Sequence, residues 1–92
     1  MLERDIEKVV KVYAESKGWL TRKWTSPGHS FVPDQIFIRP GGQVIFIEMK
    51  RNGGKCTAGQ LREHTKLTNQ GCHVYVIDSV VAGKELVDAL NN

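Results

Sequence analysis

Two short apolar runs joined by turn residues dominate the middle of this chain. The runs at 35–38 and 44–47 flank the segment 39–43, which carries a proline and two glycines typical of a tight turn. Each run has the length and composition of a buried strand, so we expect strands at 33–39 and 43–50 to pair as a hairpin. A hairpin centred on this turn places Asp34 at the end of its strand that faces Glu48.

Charged side chains stand at the open end of this predicted hairpin. Glu48 and Lys50 are two positions apart on one strand, so they project to the same side, and Asp34 opens the other strand. Buried strands do not carry charged groups without cause. Two carboxylates beside a lysine can bind a hard divalent cation and a phosphate. The residues alone leave open a plainer reading, a solvated strand end preceded by a turn aspartate.

The rest of the chain predicts five more elements around the hairpin. These are a helix over 2–17, a strand over 19–25, a helix from the capping box at Thr57 to about residue 69, a strand over 72–77 and a last helix after residue 78 or 79. We expect the second helix to be partly buried through Leu61 and Leu67. The order α-β-β-β-α-β-α indicates one α/β domain over residues 1–92, with a mixed four-stranded sheet flanked by helices.

Basic residues cluster near the two carboxylates, although the net charge of +3 is mild. Lys50, Arg51 and Lys55 follow the second predicted hairpin strand, and Arg22 and Lys23 lie on the strand before the hairpin. Such a cluster can track the phosphates of a nucleic acid. The alternative is ordinary solvated surface charge.

Several classes of protein are disfavoured by the sequence. The apolar stretches are of about strand length, far short of the ~20 residues that span a membrane, and the charged start is unlike a signal peptide. Cys56 and Cys72 lack the spacing of a zinc or redox site, so free thiols in a cytoplasmic protein are the simplest interpretation. We therefore expect a cytoplasmic protein of a bacterium or a phage-infected host, with no membrane and no organic cofactor.

The charged constellation resembles the motif of a known superfamily of nucleases. Asp34 after a proline, followed by Glu48-x-Lys50, is similar to the PD-(D/E)XK motif. Gln60 on the next helix, the Gly-Gly-Lys at 53–55 and Gly71 before a Val-Tyr-Val-Ile strand extend the likeness to the VRR-NUC family. It covers nearly the whole chain, in the minimal stand-alone form found in phages and bacteria. It implies a restriction-endonuclease-like core and DNA endonuclease activity.

The resemblance also implies a role for each residue of the motif. Asp34, Glu48 and the backbone carbonyl of Met49 would bind Mg²⁺, with Mn²⁺ as a substitute. Lys50 would be the catalytic lysine. Gln60 would orient that lysine or a water; without the resemblance, it could equally be only the last residue of the capping box.

An acid from the first helix usually completes such sites. Glu3 and Glu7 are one turn apart on the flank of the apolar stripe, so periodicity does not separate them. Analogy with related resolvases favours Glu7 as the catalytic, metal-binding acid. An ordinary solvated helix glutamate is the alternative for either residue.

The loop before Asp34 departs from the family pattern. Family members often carry a basic residue and a glycine where this chain has Ser30 and Phe31, and phenylalanine is not expected to take a glycine conformation. His29 could contact a phosphate in compensation, but a plain loop histidine is the simpler interpretation. For the aromatic residues Trp19, Trp24 and Phe31 we expect packing in the core or a dimer interface rather than stacking on an unpaired base.

The expected substrate is DNA recognised through its backbone, since no base-reading module is evident. The resemblance suggests branched DNA, including Holliday junctions. The small core and the two-fold symmetry of such junctions favour a homodimer. The alternatives are a catalytically weak DNA-binding module or a structural subunit with the same fold.

Overall fold

The computed structural model describes residues 1–91 and has the predicted order of elements. The three helices are α1 (Glu3–Ser16), α2 (Ala58–Asn69) and α3 (Val80–Leu90), and the four strands are β1 (Leu20–Lys23), β2 (Gln35–Ile38), β3 (Val44–Met49) and β4 (His73–Ile77). None of the helices in this described part is long and apolar enough to cross a membrane. The predicted fold class is confirmed.

The strands form one mixed sheet in the order β1-β2-β3-β4. β1, β2 and β3 pair antiparallel, and β4 joins β3 in parallel after the connection through α2. The predicted hairpin is therefore present, with Gln35 opposite Ile47. Continuing this register by one position places Asp34 opposite Glu48, as the turn chemistry indicated.

The hydrophobic core lies between the sheet and the pair α1 and α3. Fully buried side chains come from both helices and from alternate positions of the strands; they include Ile6, Val10, Phe37, Ile45, Ile47, Met49 and Val87. Burying each of these stabilises the fold by roughly 1.5–3 kcal/mol before entropy is counted. Gly83 lets α3 approach α1 closely, since a Cβ there would lie 2.4 Å from a methyl group of Val10.

Helix α2 lies on the face of the sheet opposite to α1 and α3. The residues that it buries differ from those that we predicted. Its buried residues are Gly59, Glu63 and His64, and Leu67 is half-buried, whereas Leu61 is 54% exposed. The expectation that Leu61 anchors the helix is wrong. The capping box at Thr57 starts the helix so that positions 59, 63 and 67 face inward, and at 100° per residue Leu61 points away.

The loop between β1 and β2 contains a second correction. Phe31 adopts φ 70°, the left-handed region that the sequence reasoning reserved for glycine. This conformation costs a non-glycine residue roughly 1–2 kcal/mol. The ring of Phe31 is 52% exposed and rests against Gly59 of α2, where a Cβ would lie 2.7 Å from it. The missing side chain at Gly59 is therefore what makes room for the ring.

Trp19 packs in the core as expected, whereas Trp24 is half-buried and lies outside the core cluster. Trp19 is buried in the core and meets Phe37 edge to face, with ring centroids 6.4 Å apart. Trp24 lies on the other face of the sheet, with its ring centroid 5.0 Å from that of Phe46.

Candidate functional site

Asp34 and Glu48 come together at one end of the sheet, where β1, β3 and β4 end and β2 begins. The Met49 N–H donates to Asp34 Oδ1 at 3.2 Å, and the Trp24 N–H donates to the Asp34 carbonyl at 2.9 Å. The Lys50 N–H donates to the carbonyl of Ile77 on β4 at 2.8 Å. These backbone contacts fix Asp34 beside the end of β3, where Glu48 and Lys50 share one side.

The surroundings of the two carboxyl groups raise both of their pKa values. Burial raises the pKa of Asp34 to about 6; the hydrogen bond from Met49 opposes this shift, and repulsion from Glu48 adds to it. Burial raises the pKa of Glu48 to about 7 against the opposing charge of Lys50. Raised carboxyl pKa values in a cleft are typical of functional sites. A cation would favour the ionised form of both groups.

Gln60 combines the two interpretations that the sequence left open. Its Oε1 accepts hydrogen bonds from the Thr57 N–H at 2.9 Å and from Lys50 Nζ at 2.7 Å. Its Nε2 lies 3.5 Å from Glu48 Oε2. The residue therefore completes the capping box of α2 and contacts two residues of the candidate site at the same time.

His64 also contacts the site, although we predicted no role for it from the sequence. Its Nε2 lies 3.4 Å from Glu48 Oε1, and both side chains are buried. Burial and then the charge of Lys50 lower the pKa of this histidine. The spacing of four residues from Gln60 places both side chains on one flank of the helix, and that spacing is the signal that could have identified it.

The acids of α1 also lie near the site. Glu7 Oε1 accepts a hydrogen bond of 2.6 Å from Gln35 Nε2, and the Oε1 of this buried glutamine has no partner within residues 1–91. Both Glu3 and Glu7 raise the pKa of Asp34 by repulsion, and Glu3 does the same to Glu48. The geometry therefore places both helix acids near the carboxylates without singling out Glu7.

A cleft of about 430 Å³ opens beside Lys50. It is lined by Leu2, Glu3, Lys50, Arg51, Gly54 and Lys55. Lys50, Arg51 and Lys55, the predicted phosphate-binding residues that follow β3, therefore line the same cleft. Arg22 and Lys23 are exposed on β1, two strands away, and as neighbours on a strand they point to opposite faces. The structure does not bring these two into the cleft.

The loop and helix α2 make a further polar contact next to the site. His29 Nε2 lies 2.9 Å from Glu63 Oε1, one helical turn beyond the contact of Phe31 with Gly59. His29 is therefore tied to α2 rather than pointing freely into the cleft. Cys56 and Cys72 are both free and half-buried.

The oxygen ligands available at this end of the sheet suit a hard cation. Asp34 and Glu48 offer carboxylate oxygens, and the Met49 carbonyl would add a third oxygen from the same strand end. Among the described residues, no three carboxylate, imidazole or thiol side chains are grouped closely enough to hold a metal ion. Mg²⁺ commonly keeps several waters and needs only one or two protein carboxylates. These residues therefore suit Mg²⁺ better than a cation that needs a full protein cage.

Comparison with known proteins agrees with the geometry. No family model matches the chain. A protein named "Putative nuclease p44", from Acyrthosiphon pisum secondary endosymbiont phage 1, is 42% identical over 77 residues, which cover 84% of this chain and 83% of the relative. A solved structure described as "VRR_NUC domain" superposes with a TM-score of 0.88 at 32% identity, and the match covers 96% of both chains.

Proposed function

The chain belongs to the VRR-NUC family of nucleases, and on this premise we propose that it is a divalent-metal-dependent endonuclease that hydrolyses phosphodiester bonds in DNA. The observation that carries the proposal is that Asp34, Glu48 and Lys50 lie together at the end of the sheet where β2 begins and β3 ends. The raised carboxyl pKa values and the neighbouring basic cleft, which Lys50 lines, support it.

Each site residue has a distinct part in this proposal. Asp34, Glu48 and the Met49 carbonyl would hold Mg²⁺ or Mn²⁺. Glu7 of α1 is the further ligand that the family resemblance implies, although among the described residues its side chain contacts Gln35 and is not grouped with the two carboxylates. The bound cation would neutralise a phosphate oxygen and acidify an attacking water. Lys50 places its ammonium beside the carboxylates and would stabilise the negative charge that develops on the phosphate. Gln60 accepts a hydrogen bond from that ammonium and so directs it.

The cleft suggests how DNA would be held. Lys50, Arg51 and Lys55 can contact successive phosphates, which gives binding without reading of bases. Arg22 and Lys23 lie on β1 outside the cleft and point to opposite faces, so each would contact DNA separately from the cleft. Basic residues in several separate places suit a branched substrate such as a four-way junction, encountered in the cytoplasm of a bacterium or an infected host.

A cleavage assay tests the enzymatic proposal directly. Labelled single strand, duplex, flap, splayed-arm and four-way junction DNA would be incubated with protein in Mg²⁺, Mn²⁺ or EDTA. We expect cleavage only with a cation, and a loss of at least about 100-fold in Asp34→Asn and Glu48→Gln. Glu85→Gln, which changes an exposed acid on α3, is the matched control. Wild-type rates in both site variants would refute the proposal.

A homodimer is part of the proposal because paired cuts across a two-fold junction need two active sites. Light scattering of the protein alone and on junction DNA is expected to give the mass of two chains. A single-chain mass at micromolar concentration in both samples would remove the dimer while leaving the nuclease assignment intact.

A further inference from the structure

Helix α2 contacts both carboxylate oxygens of Glu48. Its Oε1 lies 3.4 Å from His64 Nε2, and its Oε2 lies 3.5 Å from Gln60 Nε2. Gln60 and His64 are one helical turn apart, so a single face of α2 approaches both oxygens. Glu48 is only 4% exposed, which leaves little water to take the place of either contact.

The buried face of α2 is mostly polar. The buried residues of this helix are Gly59, Glu63 and His64, and none of them is a large apolar side chain. Glu63 is paired with His29 of the loop before Asp34, and His64 is paired with Glu48 of β3. Polar groups are rarely buried unless they are hydrogen-bonded. The position of α2 and the orientation of Glu48 are therefore set by the same contact.

We propose that His64 is a positioning residue that orients Glu48 for cation binding. An ionised carboxylate only accepts hydrogen bonds, so the hydrogen lies on His64 Nε2 and holds Oε1. Oε2, which has only the longer contact with Gln60, would then be the oxygen available to a cation. This inference rests on the proposed metal-dependent function and adds to it a residue that is not itself a ligand.

The choice of variants follows from the position of the donor nitrogen. A glutamine side chain places its Nε2 the same number of bonds from the backbone as His64 Nε2, whereas an asparagine is one bond short. Leucine fills a similar volume without a donor. We therefore expect His64→Gln to preserve the contact, and His64→Asn and His64→Leu to lose it. His73→Leu, at an exposed position that opens β4, is the matched control.

Binding of Mn²⁺ in the absence of DNA is the main measurement. Titration followed by electron paramagnetic resonance of free Mn²⁺ gives the affinity without any turnover. Loss of a residue that orients a metal ligand typically costs about 10–100-fold in affinity, so we expect at least about tenfold weaker binding for His64→Leu and His64→Asn. His64→Gln and His73→Leu should stay within about threefold of wild type. A second measurement is the Mn²⁺ concentration that gives half the maximal rate of single-turnover cleavage of junction DNA. This concentration should rise in His64→Leu and His64→Asn and stay near the wild-type value in His64→Gln and His73→Leu.

The outcomes separate this inference from the function on which it rests. Wild-type affinity in His64→Asn and His64→Leu, with Glu48→Gln impaired, would overturn the role of His64 alone. If wild type binds Mn²⁺ no better than Glu48→Gln and cleaves nothing, the metal-dependent function fails and the inference fails with it. If His64→Leu does not fold, the comparison of His64→Gln with His64→Asn decides, and equal affinities in those two refute the positioning role.

Discussion

Replacing Glu48 by glutamine is expected to stabilise the cation-free protein at alkaline pH while abolishing cleavage. Burial raises the pKa of Glu48 from 4.5 to about 7, so the folded state binds this proton more tightly than the unfolded chain does. Below the unfolded pKa both states are protonated and burial of the charge has no effect. As the pH rises from about 4.5 through 7, the wild type loses stability because a buried carboxylate must ionise. Glutamine has no such proton to lose.

The magnitude follows from the two pKa values. A change from 4.5 to about 7, at about 1.4 kcal/mol for each pH unit, corresponds to roughly 3 kcal/mol once the pH is well above 7. The buried amide of glutamine keeps a desolvation cost of about 1 kcal/mol. We therefore expect a net gain of about 2 kcal/mol near pH 8.5, which for a domain of this size raises the Tm by about 10 °C.

Urea denaturation in EDTA at pH 5.5 and 8.5 measures this effect. The free energy of unfolding of Glu48→Gln minus that of wild type should increase by about 2 kcal/mol from pH 5.5 to pH 8.5. Asp34 titrates in both proteins, and loss of the repulsion from Glu48 lowers its pKa in the variant, which adds to the advantage of Glu48→Gln in the same direction. Glu85→Gln should show no pH-dependent advantage. An advantage that is independent of pH, or a variant less stable than wild type at pH 8.5, would refute the proposed burial of charge.

Addition of Mg²⁺ should narrow or reverse the difference. A ligand that binds only the folded state stabilises it by about 1.4 kcal/mol at ten times its Kd. Wild type should gain this increment at pH 8.5, and Glu48→Gln should gain much less.

Three further predictions concern the packing and the basic cleft. Gly83→Ala should destabilise the protein by about 2 kcal/mol in urea denaturation, since its Cβ would lie 2.4 Å from Val10; combined with Val10→Ala, the two costs should fall short of additive, and full additivity would argue against this contact. Phe31→Gly should be more stable than Phe31→Ala by about 1 kcal/mol because φ 70° suits glycine, and equal stabilities would show that the left-handed conformation is not retained. Lys55→Ala should lower the slope of log affinity for DNA against log salt by about 0.9, while Lys66→Ala, at an exposed position on α2, leaves it unchanged.

The fold could be predicted wherever a local rule determined it. The turn at 39–43 and the apolar runs on either side fixed the hairpin register, and that register placed Asp34 opposite Glu48. The capping box gave the start of α2 at Thr57 correctly. These features depend on residues within a few positions of one another, so periodicity and turn chemistry were sufficient.

The errors arose where contacts distant in sequence decide the outcome. Leu61 was expected to anchor α2, but the helix is seated by Glu63 and His64, whose partners lie on another strand and another loop. The conformation of Phe31 depends on the absence of a side chain at Gly59, which residue type alone does not reveal. A helix without a continuous apolar stripe gives no sequence signal for the face that will be buried.

Gln60 Oε1 couples the stability of the start of α2 to the position of the Lys50 amine. Because the same atom holds the first turn of α2 and the amine of Lys50, unwinding of that turn on heating would release the amine before the core melts. Activity should therefore decline at a lower temperature than global unfolding. Selection for heat resistance would then favour substitutions that tighten the start of α2 while keeping glutamine at position 60.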